Sequence, residues 1–409
     1  INKIGNKLAL DWQSQLHNLS TSKELYSKYL SLGLNQKQLD RLFSYYNIYD
    51  PVVKNGSRII DSEKASKLLS TIERNPYILV HSNGLSFKQV ELIAKRLNIP
   101  ISSKSRIIAG AEYIYKNEIE RSGDCYEILE TAAERIAIFL NRFSSKELDY
   151  LTVVGVLKND SSLFHLENNQ LFRKEIFQDE VKIAAAVDNL LKQQGRTTDT
   201  TIIRNKLNQY IQDNDLSLEE KQYESIVELC RTEYSIGVLS GPAGSGKTFV
   251  LKIILDLYEL LYPPLRGKLE ADNIVITAQT GRAAKAAQKS TNIFTRTIHS
   301  TLGALVTKNE AGEVNFEFKY NESNQLPGAI FVNDESTMVD VTLASSLLTA
   351  VSKPSKVIWL GDIHQLPAIG PGEVFKTLLF SEKVPSVTLE VSKRSSNTSG
   401  ITRNAQKVI

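Results

Sequence analysis

The chain has 409 residues, 42% of them hydrophobic, and a formal net charge of +3, which predicts two or three ordinary domains and permits nucleic-acid binding through local patches without arguing for it. No run approaches the roughly 18 apolar residues of a membrane span. Asp11, Lys23, Glu24 and Lys28 interrupt what a signal-peptide core would need, so a cytoplasmic location is expected. The two cysteines, Cys125 and Cys230, lie far apart outside any C-x-x-C pair, so neither a disulfide framework nor a zinc site is indicated, and both are expected as small buried hydrophobes.

The first half reads as helices with short connections. Gly33 to Leu42 and Gly84 to Leu97 are two similar glycine-led amphipathic helices about fifty residues apart, and they resemble helix-hairpin-helix units. Such a hairpin offers backbone N–H groups to a DNA phosphate; an amphipathic helix behind a capping glycine is equally ordinary structure. A helix is expected over 125–143 and another over 145–151. The stretch 153–166 then reads as two apolar strands around Lys158-Asn-Asp160, either the β-wing of a small winged-helix domain or a packing element. A helix over 172–193, a linker at Gly195 and a segment from Thr200 to Asp213 lead into the second half. The expected domains are therefore a helical region with hairpin-like units over 1–124, a winged-helix-like domain over 125–195 and an ATPase domain over 196–409.

From about Leu216 onward, apolar strand candidates alternate with helical stretches: Ile236–Leu239, Ile274–Thr277, Ala329–Val332, Lys356–Leu360 and Val387–Leu389. Alternation of this kind predicts a parallel sheet covered by helices, with its ligand beyond the carboxyl ends of the strands. Directly after the first strand stands Gly241-Pro242-Ala243-Gly244-Ser245-Gly246-Lys247-Thr248, a complete G-x-x-x-x-G-K-[ST] phosphate loop, followed by a helical pattern over Phe249–Leu261. Its glycines let backbone N–H groups point at phosphates, and the following helix presents its positive dipole end to the same anion. Lys247 is expected to reach the β- and γ-phosphates of ATP, and Thr248 to ligate Mg²⁺.

After the second strand, Thr280-Gly-Arg282-Ala-Ala-Lys285 opens a helix on which Arg282, Lys285 and Lys289 share one face, and Thr297-Ile-His299 follows. At the ligand edge of a sheet, that face is expected to meet a phosphodiester backbone through Thr280, Arg282, Lys285, Thr297 and His299. Asp334 and Glu335 end the strand Phe331 to Asn333, the arrangement of a Walker B element with one carboxylate for Mg²⁺ and a neighbour able to polarise water. Gly361-Asp362-Ile-His364-Gln365-Leu-Pro367 ends the next strand and places Asp362 and Gln365 beside the γ-phosphate, where the uncharged amide can sense it by hydrogen bonding. His364 reads as a local hydrogen-bonding residue. The segment 304–327, with Glu310-Ala-Gly-Glu313 as its turn, reads as a surface hairpin.

The order of these elements resembles motifs I, Ia, Ib, II, III and IV of the superfamily 1B helicases, the RecD branch above all. Asn75-Pro-Tyr77, Gly84 to Lys88 and Arg106-Ile-Ile-Ala-Gly110 are similar to segments of its long stand-alone members. The resemblance implies an α/β RecA-like P-loop sheet behind a mainly helical N-terminal region. It also implies an ATP-driven, Mg²⁺-dependent motor moving 5′ to 3′ on single-stranded DNA and unwinding forked duplex in repair or recombination. It casts Gln222 as the glutamine that reads adenine, Arg394 as an arginine finger, and the hairpin at 304–327 as a pin that splits duplex. Asn333 before the acidic pair and Ser395 after Arg394 depart from the pattern without removing a catalytic group. The sequence starts at Ile1, has Met338 as its single methionine, and stops at Ile409 after motif IV. It is thus expected to be a fragment that needs a second RecA-like lobe to translocate. The alternative is an ATP- and DNA-binding regulatory or assembly subunit.

Overall fold

The computed structural model describes residues 23–49, 60–81, 85–193, 195–233, 235–262, 273–308 and 314–390. It divides into two units: residues 1–115, 128–171 and 306–317 in one, and 116–127, 172–305 and 318–409 in the other.

The first unit is mainly helical, with helices at Gln36–Tyr45, Ser62–Arg74, Phe87–Arg96, Lys104–Ile114, Leu129–Asn141 and Tyr150–Lys158. The two similar helices start in the same way. Asn35 accepts from the Gln38 N–H at 2.9 Å while Gln38 accepts from the Asn35 N–H at 3.0 Å, and Gln89 accepts from the Ser86 N–H at 2.8 Å. These reciprocal caps satisfy N–H groups that the first helical turn leaves without partners. Gly33 sits at φ +95°, where a Cβ would collide with the Arg96 guanidinium; Gly84 lies outside the described residues.

At the centre of this unit, Arg106 and Glu91 form a buried pair. Arg106 Nε donates to Glu91 Oε1 at 2.9 Å and Nη2 to Oε2 at 3.0 Å, while Nη1 donates to Ile101 O (3.0 Å) and Nη2 also to Leu140 O (2.9 Å). Tyr77 donates its hydroxyl proton to Glu91 Oε1 at 3.0 Å.

Residues 153–158, expected as the first strand of a wing, are instead the end of the helix Tyr150–Lys158. The strands come later, at Phe164–Glu167 and Gln170–Arg173, and the chain reverses through Asn168 and Asn169 at φ +48° and +66°. Paired asparagines tolerate the left-handed conformations of a tight hairpin turn, which a Lys-Asn-Asp turn in the middle of the apolar run did not anticipate. The helix expected from Cys125 likewise starts only at Leu129, after a short strand, and Cys125 is half-buried while Cys230 is fully buried.

The second unit is built on a six-stranded sheet. Its strands are β1 (Ser235–Ser240), β2 (Ile274–Ala278), β3 (Thr295–Thr297), β4 (Ile330–Asp334), β5 (Lys356–Gly361) and β6 (Ser386–Thr388), in the order β6-β1-β5-β4-β2-β3. Every pairing with an assigned register is parallel. The helices are α1 (Lys174–Gln193), α2 (Thr200–Asp213), α3 (Glu220–Leu229), α4 (Lys247–Leu261), α5 (Gly281–Thr291), α6 (Ile298–Thr301), α7 (Val341–Ala350) and α8 (Val374–Phe380). β1 and β5 are buried along their whole length, as a sheet covered on both faces requires. Val238, Phe331 and Trp359 pack on one face with Ile183 of α1 and Leu347 of α7. Leu239, Val332 and Leu360 pack on the other with Ile254 and Tyr258 of α4. Ala304–Lys308 and Val314–Phe318 pair as a two-stranded hairpin, and its turn lies outside the described residues.

Lys356, the first residue of β5, is only 2% exposed. Its ammonium has long contacts to Thr232 O (3.4 Å) and Oγ1 (3.3 Å) and stands 5.9 Å from the centre of the Tyr258 ring. Burial lowers its pKa from 10.5 to about 8, against the pull of Cys230 and Glu228. Between those two values the unfolded lysine holds a proton that the folded one has shed, so this group makes the fold more stable as pH rises. Lys356→Met is expected to raise stability at pH 7.5 by up to about 3 kcal/mol and to lose the gain that the parent shows on going to pH 9.5. Urea unfolding at the two pH values measures both effects.

Candidate functional site

The phosphate-loop sequence forms the turn between β1 and α4. Gly244 and Gly246 adopt φ +81° and +87°, left-handed values that favour glycine, and a Cβ on Gly246 would come within 2.7 Å of the Gln222 amide. The loop is tied to both neighbouring strands: Gly241 N–H donates to Gly361 O at 3.1 Å, and Leu389 N–H donates to Ser240 O at 2.8 Å. Lys247 Nζ donates to Gly241 O at 2.5 Å and to Pro242 O at 3.2 Å. Burial lowers the Lys247 pKa, and Asp362, Glu335 and Asp334 pull it back up. Pro242 and Thr248 are half-buried, Ala243 is exposed, and the Ser245 hydroxyl is buried with no hydrogen-bond partner among the described residues.

Gln222 lies on α3 beneath this loop. Its Nε2 donates to Ser245 O at 3.1 Å and its Oε1 accepts the Glu219 N–H at 3.2 Å. Both ends of the amide are therefore engaged, one with the helix start and one with the phosphate loop.

β4 delivers two carboxylates to the same edge. Asp334 accepts the Glu335 N–H at 2.9 Å; burial raises its pKa, while that N–H and Lys247 lower it. Glu335 stands at φ +53°, a conformation costly for a side chain of its kind and retained where surrounding structure enforces it. Burial raises its pKa, Asp334 and Asp362 add to the rise, and Lys247 and a hydrogen bond from Gln365 oppose it. Asp362 is buried at the end of β5, where its Oδ1 accepts the His364 N–H at 3.1 Å and its carbonyl accepts the Gln365 N–H at 2.9 Å. Lys247, Asp334, Glu335, Asp362 and Gln365, which come from three strand ends, thus share one electrostatic neighbourhood. Arg394 lies outside the described residues.

A second group of expected residues lies on α5 and α6. Thr280 caps α5 by accepting the Ala283 N–H at 3.2 Å, and Thr297 caps α6 by accepting the Ser300 N–H at 3.2 Å. Ala284, Ala287 and Thr291 face the core, leaving Arg282, Lys285 and Lys289 exposed along one stripe. His299 is half-buried and 5.9 Å from the Phe318 ring; burial raises the pKa of Asp340, and the Leu343 N–H and His299 oppose that rise. Sequence reading passed over Phe294 and Arg296. Phe294 is 59% exposed, with the Arg296 guanidinium 4.8 Å from its ring centre. The signal was the alternation Phe294-Thr295-Arg296, in which Thr295 is buried and its neighbours are not.

Two family models match the chain, one described as an AAA domain over residues 217–408 and one as the ATP-dependent RecD2 DNA helicase HHH domain over residues 22–126. In these two stretches the chain resembles the RecD-like helicases. Among curated relatives of this RecD-like chain, the ATP-dependent RecD2 DNA helicase of Deinococcus radiodurans is 23% identical over 334 residues, which are 78% of this chain and 42% of that protein. The RecBCD enzyme subunit RecD of Buchnera aphidicola is 27% identical over 229 residues, 50% of this chain and 35% of the relative. An uncharacterised protein of Methanocaldococcus jannaschii is 31% identical over 175 residues, 40% and 14% of the two chains. The RecD-like chain spans less than half the length of each of these relatives. Its sheet and phosphate loop are those of a nucleotide-binding domain, and no helix among the described residues is long and apolar enough to cross a membrane.

Proposed function

We propose that this chain is the N-terminal region and first motor lobe of an ATP-driven helicase that moves 5′ to 3′ on single-stranded DNA and opens forked duplex. The observation that carries this reading is the meeting of Lys247, Asp334, Glu335, Asp362 and Gln365 at the carboxyl edge of the sheet, directly beyond the phosphate loop. Buried and half-buried groups of mixed charge at a strand edge suit phosphoryl transfer, where catalysis is mainly positioning and charge neutralisation.

ATP and Mg²⁺ fit the residues present. The partnerless Ser245 hydroxyl, the lysine and the left-handed glycines form a cradle for phosphate oxygens, and Thr248 and Asp334 supply the hard oxygen donors that Mg²⁺ takes beside phosphates. Bound there, Mg²⁺ would neutralise charge on the β- and γ-oxygens. Lys247 leaves its loop carbonyls to pair with the phosphates, Glu335 takes the proton of the attacking water, and Gln365 orients that carboxylate. Arg394 acts as the arginine finger. Gln222 braces the loop at Ser245 and releases its amide to read adenine. The stripe Arg282–Lys285, with Thr280, Thr297 and His299, carries the DNA phosphates, and Phe294 with Arg296 offers a stacking surface for a base on the same unit. The helix-hairpin-helix-like units of the helical region over 1–124 offer backbone N–H groups to further DNA phosphates, and the hairpin around 304–327 serves as the pin.

The test is ATP hydrolysis by the full-length protein with and without single-stranded DNA, beside Lys247→Ala. DNA should stimulate hydrolysis, and the substitution should lower the stimulated rate by about 10²–10³-fold, the effect of removing one aimed donor from a transition state. DNA binding with no hydrolysis in the parent would overturn the motor reading in favour of a regulatory subunit.

A further inference from the structure

The face of the sheet that carries Val238, Phe331 and Trp359 buries a bonded polar pair between β2 and β4. Thr277 of β2 and Asn333 of β4 are paired in register there, and both are 2% exposed. Residues 333 and 334 point to opposite faces, so Asn333 is on the far side of the sheet from Asp334 and the phosphate loop. A buried amide among aliphatic side chains is costly unless every group finds a partner. Here the partners are specific: Thr277 Oγ1 donates to Asn333 Oδ1 at 2.9 Å, Asn333 Nδ2 donates to Ser336 Oγ at 2.9 Å, and Ser336 Oγ donates to Asn333 O at 2.7 Å.

The last two bonds close a clasp from residue 333 to residue 336, and Asp334 and Glu335 are the two residues inside it. Glu335 is the one held at φ +53°. The clasp adds to the backbone bonds from Met338 N–H to Glu335 O and from Val339 N–H to Ser336 O, and losing it would favour relaxation of the turn, re-aiming the Glu335 carboxylate away from Gln365. Thr277 anchors the clasp to the strand that leads into Thr280 and α5.

We propose that Asn333 is a positioning residue for Glu335: the Thr277–Asn333–Ser336 network holds the strained turn that aims this carboxylate at the attacking water. The inference rests on the role proposed for Glu335. Asn333 itself lies on the face of the sheet away from the phosphate loop.

The experiment is a double-mutant cycle in the full-length protein, measuring kcat and KM for ATP with saturating single-stranded DNA. Asn333→Leu and Ser336→Ala are each expected to lower kcat about tenfold with KM for ATP unchanged, because the phosphate loop is untouched. In a Glu335→Gln background, measured by single turnover, neither should lower the rate further. Thr277→Val, nearly isosteric and the mildest change to the core, should give the same pattern at smaller amplitude if Asn333→Leu does not fold. Multiplicative losses in the Glu335→Gln background, a rise in KM with kcat intact, or parental rates in all variants would overturn the proposal. Failure of the underlying reading is distinguishable, because Glu335→Gln alone would then hydrolyse ATP at the parental rate.

Discussion

Replacing Glu335 by glutamine is expected to lower DNA-stimulated ATP hydrolysis by about 10²–10⁴-fold, the range for loss of a positioned general base, while nucleotide affinity stays within a few-fold. The amide keeps the size of the side chain and can still meet Gln365, so what disappears is the capacity to accept a proton. The pH profile gives a second reading of the same event. Burial, Asp334 and Asp362 raise the pKa of Glu335, against Lys247 and Gln365. The carboxylate therefore gains its proton at a higher pH than an ordinary glutamate, and the parental rate should rise with pH through that raised value. In the variant this acid limb should vanish. Nucleotide affinity by fluorescence titration and kcat across pH separate lost chemistry from lost binding; equal losses in both would reject Glu335 as the base.

Arg106→Ala is expected to destabilise the helical unit by about 3–5 kcal/mol, because it leaves the buried Glu91 carboxylate facing Tyr77 alone. The cost lies in the uncompensated charge more than in the lost pair. The double substitution Glu91→Leu with Arg106→Met, which removes both charges and keeps the volume filled, should therefore recover most of the loss. Hydrogen exchange in Phe87–Arg96 and Leu129–Asn141 localises the effect, since Arg106 also caps the Leu140 carbonyl. Unchanged protection in Arg106→Ala would show that water reaches Glu91 and that the pair is not a keystone of this unit.

The ATPase half was legible because its chemistry is written locally. A phosphate loop, an acidic pair and Gly361-Asp362-Ile-His-Gln365 each follow a short apolar run, and all three runs are strands within a residue or two of where periodicity put them. Val153 to Leu157 was not legible for a physical reason: a five-residue apolar run is as compatible with a buried helix as with a strand, and β-branched residues tipped the reading toward the strand. The Asn168-Asn169 turn was the better signal and went unused. Asn333 looked like a harmless departure from a motif, since its meaning lies in Thr277 on another strand. Lys356 could not be recognised as buried either, because its cost is set by Tyr258 and Thr232, distant in sequence. Residues whose role depends on a partner across the sheet remain silent until the topology is known.

The strand order also has a consequence for synthesis. β1 lies between β5 and β6, so Ile236 finds its neighbour Val357 only after more than a hundred further residues have been made. At a ribosomal pace of about 5–20 residues per second, that interval is on the order of ten seconds. Throughout it, the nascent chain displays the phosphate-loop sequence without the Gly361 carbonyl that receives the Gly241 N–H. The phosphate loop gains that anchor only once β5 has slotted in beside β1.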